Sequence, residues 1–150
     1  MRRETRGFTL IELLIVVAII GIIAAIAIPG LAAAIQRARQ KRTMVELRTV
    51  ATAVSSYATD FAFVPKVPTG VVEDISPYIV PTYLRVLPYL DGWRRPMLYY
   101  SEGLNYTVRS NGSDGITQPG PPMGPTTSYS DDMVMVNGVF VQWPDGMQVN

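Results

Sequence analysis

"GFTLIELLIVVAIIGIIAAIAIPG", from Gly7 to Gly30, decides how the rest of the chain is read. Between Glu12 and Arg37 lie 24 residues without a charge. As a helix they extend about 36 Å, enough to cross a bilayer hydrocarbon core of about 30 Å. One carboxylate, Glu12, stands near the start of this apolar run. An acid in hydrocarbon costs about 2.5–3.5 kcal/mol at the bilayer centre and less toward its ends, so its presence points to a function. Near the far end, Pro29 lacks a backbone donor and crowds the preceding turn, while Gly21 and Gly30 weaken helical preference. The segment is therefore a helix able to kink or locally unwind between Gly21 and Pro29.

Two plainer readings compete. A secretory signal peptide would have the basic start (Arg2, Arg3 and Arg6 against Glu4), an apolar run, and a small-x-small cleavage site at Ala25-Ile26-Ala27. The run exceeds the usual apolar region of roughly 7–15 residues, and a signal has no use for the acid. A simple membrane anchor explains the length but leaves Glu12 unexplained, unless that acid snorkels to the interface at its helix N-terminus. Charge does not orient the span cleanly. Arg37, Arg39, Lys41, Arg42 and Arg48 follow it and three arginines precede it, which by count alone would place the C-terminus in the cytoplasm.

Composition removes whole classes of chemistry. The 150 residues contain no cysteine and no histidine, so disulfides, thiol nucleophiles, Ser-His-Asp triads and Cys/His zinc sites are excluded. Lys41 and Lys66 are the only lysines, and neither neighbours a serine motif that would make a nucleophile. An enzyme is not expected. A formal net charge of +1 gives no basis for nucleic-acid binding. The basic stretch from Arg37 to Arg48 suits anionic lipid heads, acidic patches of neighbouring subunits, or a solvated helix face.

Gly7-Phe8-Thr9-Leu10-Ile11-Glu12 after a short basic leader, followed by an apolar helix with Gly21 and Pro29, resembles the class III signal sequences of type IV pilins and type II secretion pseudopilins. The resemblance implies cleavage by a membrane prepilin peptidase between Gly7 and Phe8, then N-methylation of Phe8. It implies a cytoplasmic leader and a C-terminal domain outside the bacterial inner membrane, against the charge count. It also implies an inner-membrane assembly platform and ATPase that draw the subunit from the membrane into a helical homo-oligomeric fibre. After cleavage the Phe8 amine of one subunit can meet Glu12 of a neighbour, so that each buried charge gains a partner. Glu12 then fixes axial register. In some fibres of such families the helix melts between the positions of Gly21 and Pro29.

Beyond Pro29 a helical period resumes. Met44, Leu47, Val50, Ala51, Val54, Tyr57, Ala58 and Phe61 form one apolar stripe, and the helix is expected to end between Phe61 and Val64, ahead of Pro65 and Pro68. Residues 65–96 read as loops around one short helix within Val71–Leu84. "MLYY" and "LNYTV" flank Ser101-Glu102-Gly103 as a first hairpin, and "MVMV" and "VFVQW" flank Asn137-Gly138 as a second. Trp93 and Trp143 are expected to pack at the sheet edges.

"SNGSDGITQPGPPMGPTTSYSDDM", Ser110 to Met133, has no apolar period. It reads either as a disordered surface loop or as a calcium loop with Asp114, Asp131 and Asp132 as hard oxygen ligands and carbonyls near Asn111 completing the shell. It resembles the calcium-binding region of major pseudopilins, although 16 residues between Asp114 and Asp131 make a longer, more proline-rich spacer than such proteins have. The expected protein is α+β and pilin-like: leader 1–7, membrane and fibre-core helix 8–34, amphipathic helix half 35–62, and a C-terminal antiparallel sheet region 63–150 with acidic loop 110–133. Its expected role is the structural subunit of a type II secretion pseudopilus, in the periplasm, with a surface type IV pilin as the alternative.

Overall fold

The computed structural model describes residues 7–120 and 123–146. Residues 1–6 of the expected leader lie outside the described residues. One helix, α1, runs from Leu10 to Phe61, and the chain divides between Gln36 and Arg37 into two compact units. The first unit holds the apolar part of α1. From Gly7 to Gln36 every residue is exposed except the half-buried Ala24, Ala33 and Gln36. A helix that is apolar on all sides and covered by nothing is suited to lipid or to other helices, and α1 is long and apolar enough to cross a membrane.

The second unit carries its own core. Here α1 turns one face inward: Leu47, Val50 and Val54 are wholly buried, and Met44, Ala51, Ala53 and Tyr57 nearly so. Each fully buried aliphatic side chain is worth about 1.5–3 kcal/mol relative to exposure. The stripe fades at its end. Ala58 is half-buried, and Phe61, expected in the core, is 51% exposed and stacks on Tyr57 at 4.5 Å. Ala62 then takes the left-handed conformation (φ 62°) that terminates the helix, as anticipated between Phe61 and Val64.

A six-stranded sheet covers the stripe. Its strands are β1 (Val67–Val71), β2 (Leu98–Ser101), β3 (Tyr106–Ser110), β4 (Gly124–Thr126), β5 (Met133–Val136) and β6 (Val139–Pro144). Their spatial order is β1-β2-β3-β5-β6-β4, antiparallel throughout except for the parallel β4–β6 pair. Both anticipated hairpins form. In the second, Asn137 and Gly138 adopt positive φ (49° and 83°), the geometry their turn requires. In the first, Ser101 already pairs with Tyr106, so the connection is the four residues Glu102–Asn105 and not Ser101–Gly103.

The two edge strands, β1 and β4, depart from the sequence reading. Val67-Pro68-Thr69-Gly70-Val71 contains both strand breakers, yet at an edge the missing proline donor leaves no ladder bond unmade. A register shift between Val67 and Gly70 absorbs the irregularity. Gly124-Pro125-Thr126 is too short to show a period and pairs only with β6. The short helix expected within Val71–Leu84 is present as a 3-10 turn (Val72–Ile75) running into α2 (Ser76–Ile79), which buries Val72, Ile75 and Ile79. Trp93 and Trp143 pack against the core half-buried.

Alternation in β2, β3 and β6 sends Tyr99, Tyr106, Val108 and Phe140 inward. The Tyr106 hydroxyl lies 3.0 Å from the Ala51 carbonyl and 3.2 Å from Ser55 Oγ, and Arg48 of α1 stands 5.5 Å over the Phe140 ring. The loop Asp91–Arg95 makes a third tie. Asp91 is fully buried; its Oδ1 accepts the amides of Trp93 and Arg95, both at 2.9 Å, and its Oδ2 accepts Ser110 Oγ at 2.7 Å. Next to it, the Gly92 amide donates to Thr43 Oγ1 at 2.8 Å, and a Cβ there would collide with the Arg39 carbonyl.

Asp91→Ala would strand three donors, at about 1–3 kcal/mol for each one left buried. Thermal unfolding followed by tryptophan fluorescence should show a loss of more than about 3 kcal/mol. Alkaline pH tests the tyrosines. Burial raises the pKa of both Tyr99 and Tyr106, whose rings stack at 6.2 Å, above the ordinary value of about 10. The fold favours the neutral phenol, so this stability is complete below pH ~10 and is lost as pH rises beyond it. The melting midpoint should fall above pH ~10, and less steeply in Tyr99→Phe.

Candidate functional site

Gly7 and Phe8 precede α1 and are exposed, Phe8 at 75%, and a Cβ built on Gly7 meets nothing. Thr9 caps the helix. Its amide and hydroxyl donate to Glu12 Oε2 at 2.9 and 2.7 Å, and the Glu12 amide donates back to Thr9 Oγ1 at 3.3 Å. This is a reciprocal capping box, and its signature, a threonine followed three residues later by a glutamate, is legible in Thr9-Leu10-Ile11-Glu12. The sequence reading concentrated on the acid and missed its partner. Within the single subunit, Glu12 therefore already accepts two hydrogen bonds from Thr9.

Gly21 and Pro29 lie inside α1, which keeps helical conformation through both from Leu10 to Phe61. Neither Gly21 nor Gly30 has a neighbour within 4 Å of a built Cβ, so these glycines are not demanded by packing within the subunit.

The acidic loop is held by donors from the protein itself. Asp132 is fully buried; its Oδ2 pairs with the Arg109 guanidinium and accepts the Gln118 amide at 3.0 Å. Arg109 also donates to the Gln118 carbonyl. Asp131 accepts the Thr126 hydroxyl on one oxygen and Gln118 Nε2, at 3.3 Å, on the other. Asp114 caps its own turn by accepting the Ile116 amide at 3.0 Å. A second arginine, Arg95, donates to the Gly112 carbonyl at 3.2 Å and lies flat on Gly115, where φ is 73° and a Cβ would come within 2.9 Å of Arg95 Cζ.

Calcium takes six to eight oxygen ligands. Among the described residues no three carboxylates converge as a metal-holding group. Among the described residues, the buried side-chain oxygens left without a protein partner in this loop are Asp132 Oδ1 and Asn111 Oδ1. Two such side-chain oxygens, one of them on the carboxylate already paired with Arg109, fall short of that number. The arginines had no place in the sequence reading, because nothing in the spacing of Arg95 and Arg109 shows that they meet the loop.

Residues 2–28 match the family described as the prokaryotic N-terminal methylation motif. The type II secretion system core protein G of Pseudomonas aeruginosa is 32% identical over 126 residues, covering 76% of this chain and 87% of that protein. Its counterpart from Vibrio cholerae is 28% identical over 137 residues, covering 83% and 92%. The type IV major pilin protein PilA of Myxococcus xanthus is 51% identical, but over 57 residues that cover 38% of this chain and 26% of that pilin. No solved structure gives a significant match.

Proposed function

The chain belongs to the type II secretion system core protein G family, and from that premise we propose that it is the repeating subunit of a type II secretion pseudopilus. The observation that carries this reading is the extent of similarity. Likeness to the secretion proteins continues through the C-terminal unit, whereas likeness to the pilins is concentrated in a stretch of about the length of α1. The alternative, a surface type IV pilin, draws on the higher identity of that shorter stretch.

The subunit is stored in the inner membrane through the apolar part of α1, with its C-terminal unit in the periplasm. A prepilin peptidase cuts between Gly7 and Phe8 and methylates the new Phe8 terminus. The assembly platform and its ATPase then move the helix out of lipid and against the helices of earlier subunits. The chain works as a structural element and not as a catalyst. An apolar surface from Leu10 to Ile35 with no cover in the subunit supports this exchange of lipid for protein.

Glu12 sets the register. In lipid the Thr9 amide and hydroxyl hold its carboxylate, which lowers the cost of keeping it there. Cleavage frees an amine at Phe8, and in the fibre the Phe8 amine of a neighbour supplies the full counter-charge. A subunit one turn out of step would bury both charges alone. Pro29 and Gly21 weaken the helix between them, so that stretch can extend when subunits are packed at a spacing the straight helix does not match.

Intact mass of the mature protein should correspond to a chain beginning at Phe8 with one added methyl group. A terminus at Ile28, after Ala25-Ile26-Ala27, would mark a secretory signal and end this reading. Glu12→Leu should insert into membranes at least as well as wild type, yet fibre yield, scored by sedimentation of sheared filaments, should fall about a hundredfold or more. Wild-type yield from Glu12→Leu subunits would overturn the register argument. Deleting the gene separates the two family readings: loss of protein secretion supports the pseudopilus, and loss of long surface filaments with secretion intact supports the pilus.

A further inference from the structure

We propose that Arg109, assisted by Arg95, is the built-in cation of the acidic loop, and that this subunit folds and keeps its loop closed independently of calcium. The proposal is read on the isolated subunit and stands apart from the fibre reading above.

A loop that carries Asp114, Asp131 and the fully buried Asp132 needs positive charge or strong donors to stay folded, since a buried carboxylate without either is costly. A bound divalent ion is one solution. The structure shows another. Arg109 projects from β3 into the loop, where one guanidinium nitrogen reaches both Asp132 Oδ2 and the Gln118 carbonyl. The side chains of Arg109 and Asp132 are 17% and 0% exposed, so the pair is shielded from water and from salt. Gln118 completes the arrangement. Its amide donates to Asp132 and its side chain to Asp131, which binds both carboxylates to one residue. Arg95 holds the start of the loop through the Gly112 carbonyl, and the Ser113 amide donates to the Tyr129 carbonyl at 2.8 Å across the loop.

These contacts use the oxygens a cation would need. Guanidinium groups occupy one carboxylate oxygen and two backbone carbonyls. A threonine hydroxyl, a glutamine amide nitrogen and a backbone amide occupy further carboxylate oxygens. A divalent ion brought to Asp132 Oδ1 would also stand close to the Arg109 charge, on the same carboxylate, and be repelled by it. The long spacer between Asp114 and Asp131 has a matching consequence. It lets Gly124–Thr126 leave the loop and pair with β6, and Thr126 from that strand binds Asp131.

The test uses the full chain in nonionic detergent, with unfolding followed by the fluorescence of Trp93 and Trp143, which lie in the same unit as the loop. The expected wild-type midpoint is the same, within about 1 °C, in millimolar calcium and in chelator, because a ligand that does not bind the folded state cannot stabilise it. Elemental analysis should find no stoichiometric calcium. Arg109→Met, which leaves Asp132 buried alone, should lower the midpoint by more than about 10 °C. The double variant Arg109→Met, Asp132→Leu removes both charges and should regain most of that loss. Should the single variant fail to accumulate, a folded double variant supports the pairing. A double variant no better than the single overturns it. A wild-type midpoint raised several degrees by calcium, or one calcium per chain after purification, overturns the proposal outright.

Discussion

Everything in the C-terminal unit is arranged around one requirement: the apolar face of α1 at Leu47, Val50 and Val54 must be kept from water. A lone helix of this kind is marginal, and most of its stability comes from whatever packs on that face. Here the cover is a sheet whose inward residues are mainly aromatic and methionine: Tyr99, Tyr106, Met133, Met135 and Phe140. The same polypeptide helix, before Gln36, has no such face. It is apolar all round, and the described residues from Gly7 to Ile35 are exposed apart from the half-buried Ala24 and Ala33. That contrast along one continuous helix separates a part that is finished when the subunit folds from a part that needs lipid or other subunits.

How much of this was legible in the sequence followed from how local each signal is. The uncharged run, Glu12 at its start, the stripe from Met44 to Tyr57 and the Asn137-Gly138 turn are all written within a few residues, and each is where the pattern put it. Phe61 continued the stripe by spacing, but the sheet does not extend over it, and only tertiary structure reveals that limit. The edge strands were missed because Pro68, Gly70 and Pro125 argue against strands in general while being harmless at an edge. Asp91 is one acid in a proline-rich stretch of the sequence. Its role depends on Ser110, distant in sequence, and on backbone amides that no composition reports. The Thr9–Glu12 box was local and readable, and was passed over because the acid had already been given an intermolecular role.

Among the described residues, the carboxylates Asp91, Asp132 and Glu12 are each met differently by their surroundings. Asp91, buried, takes two backbone amides and a serine hydroxyl, all neutral donors. Those three donors satisfy its oxygens without a cation. Asp132, equally buried, has one amide and a guanidinium. Among the described residues, Glu12 accepts its hydrogen bonds from Thr9. The ranking follows function. Asp91 and Asp132 hold permanent structure, so their partners are fixed in the fold. Glu12 is served by an exposed residue of its own first turn, a modest arrangement that a stronger partner can replace.

That difference bears on how a fibre subunit can be both storable and ready to assemble. A fully compensated Glu12 would be comfortable in the membrane and indifferent to its neighbours. A wholly uncompensated one would resist insertion. Hydrogen bonds from a single threonine lie between these limits, because a neutral donor offsets desolvation less than an opposite charge does. In the fibre proposed above, that remaining free-energy gap is what the Phe8 amine of a neighbour would close. The acidic loop shows the opposite choice in the same molecule: the cation that meets Asp132 Oδ2 is Arg109, on a strand of its own sheet.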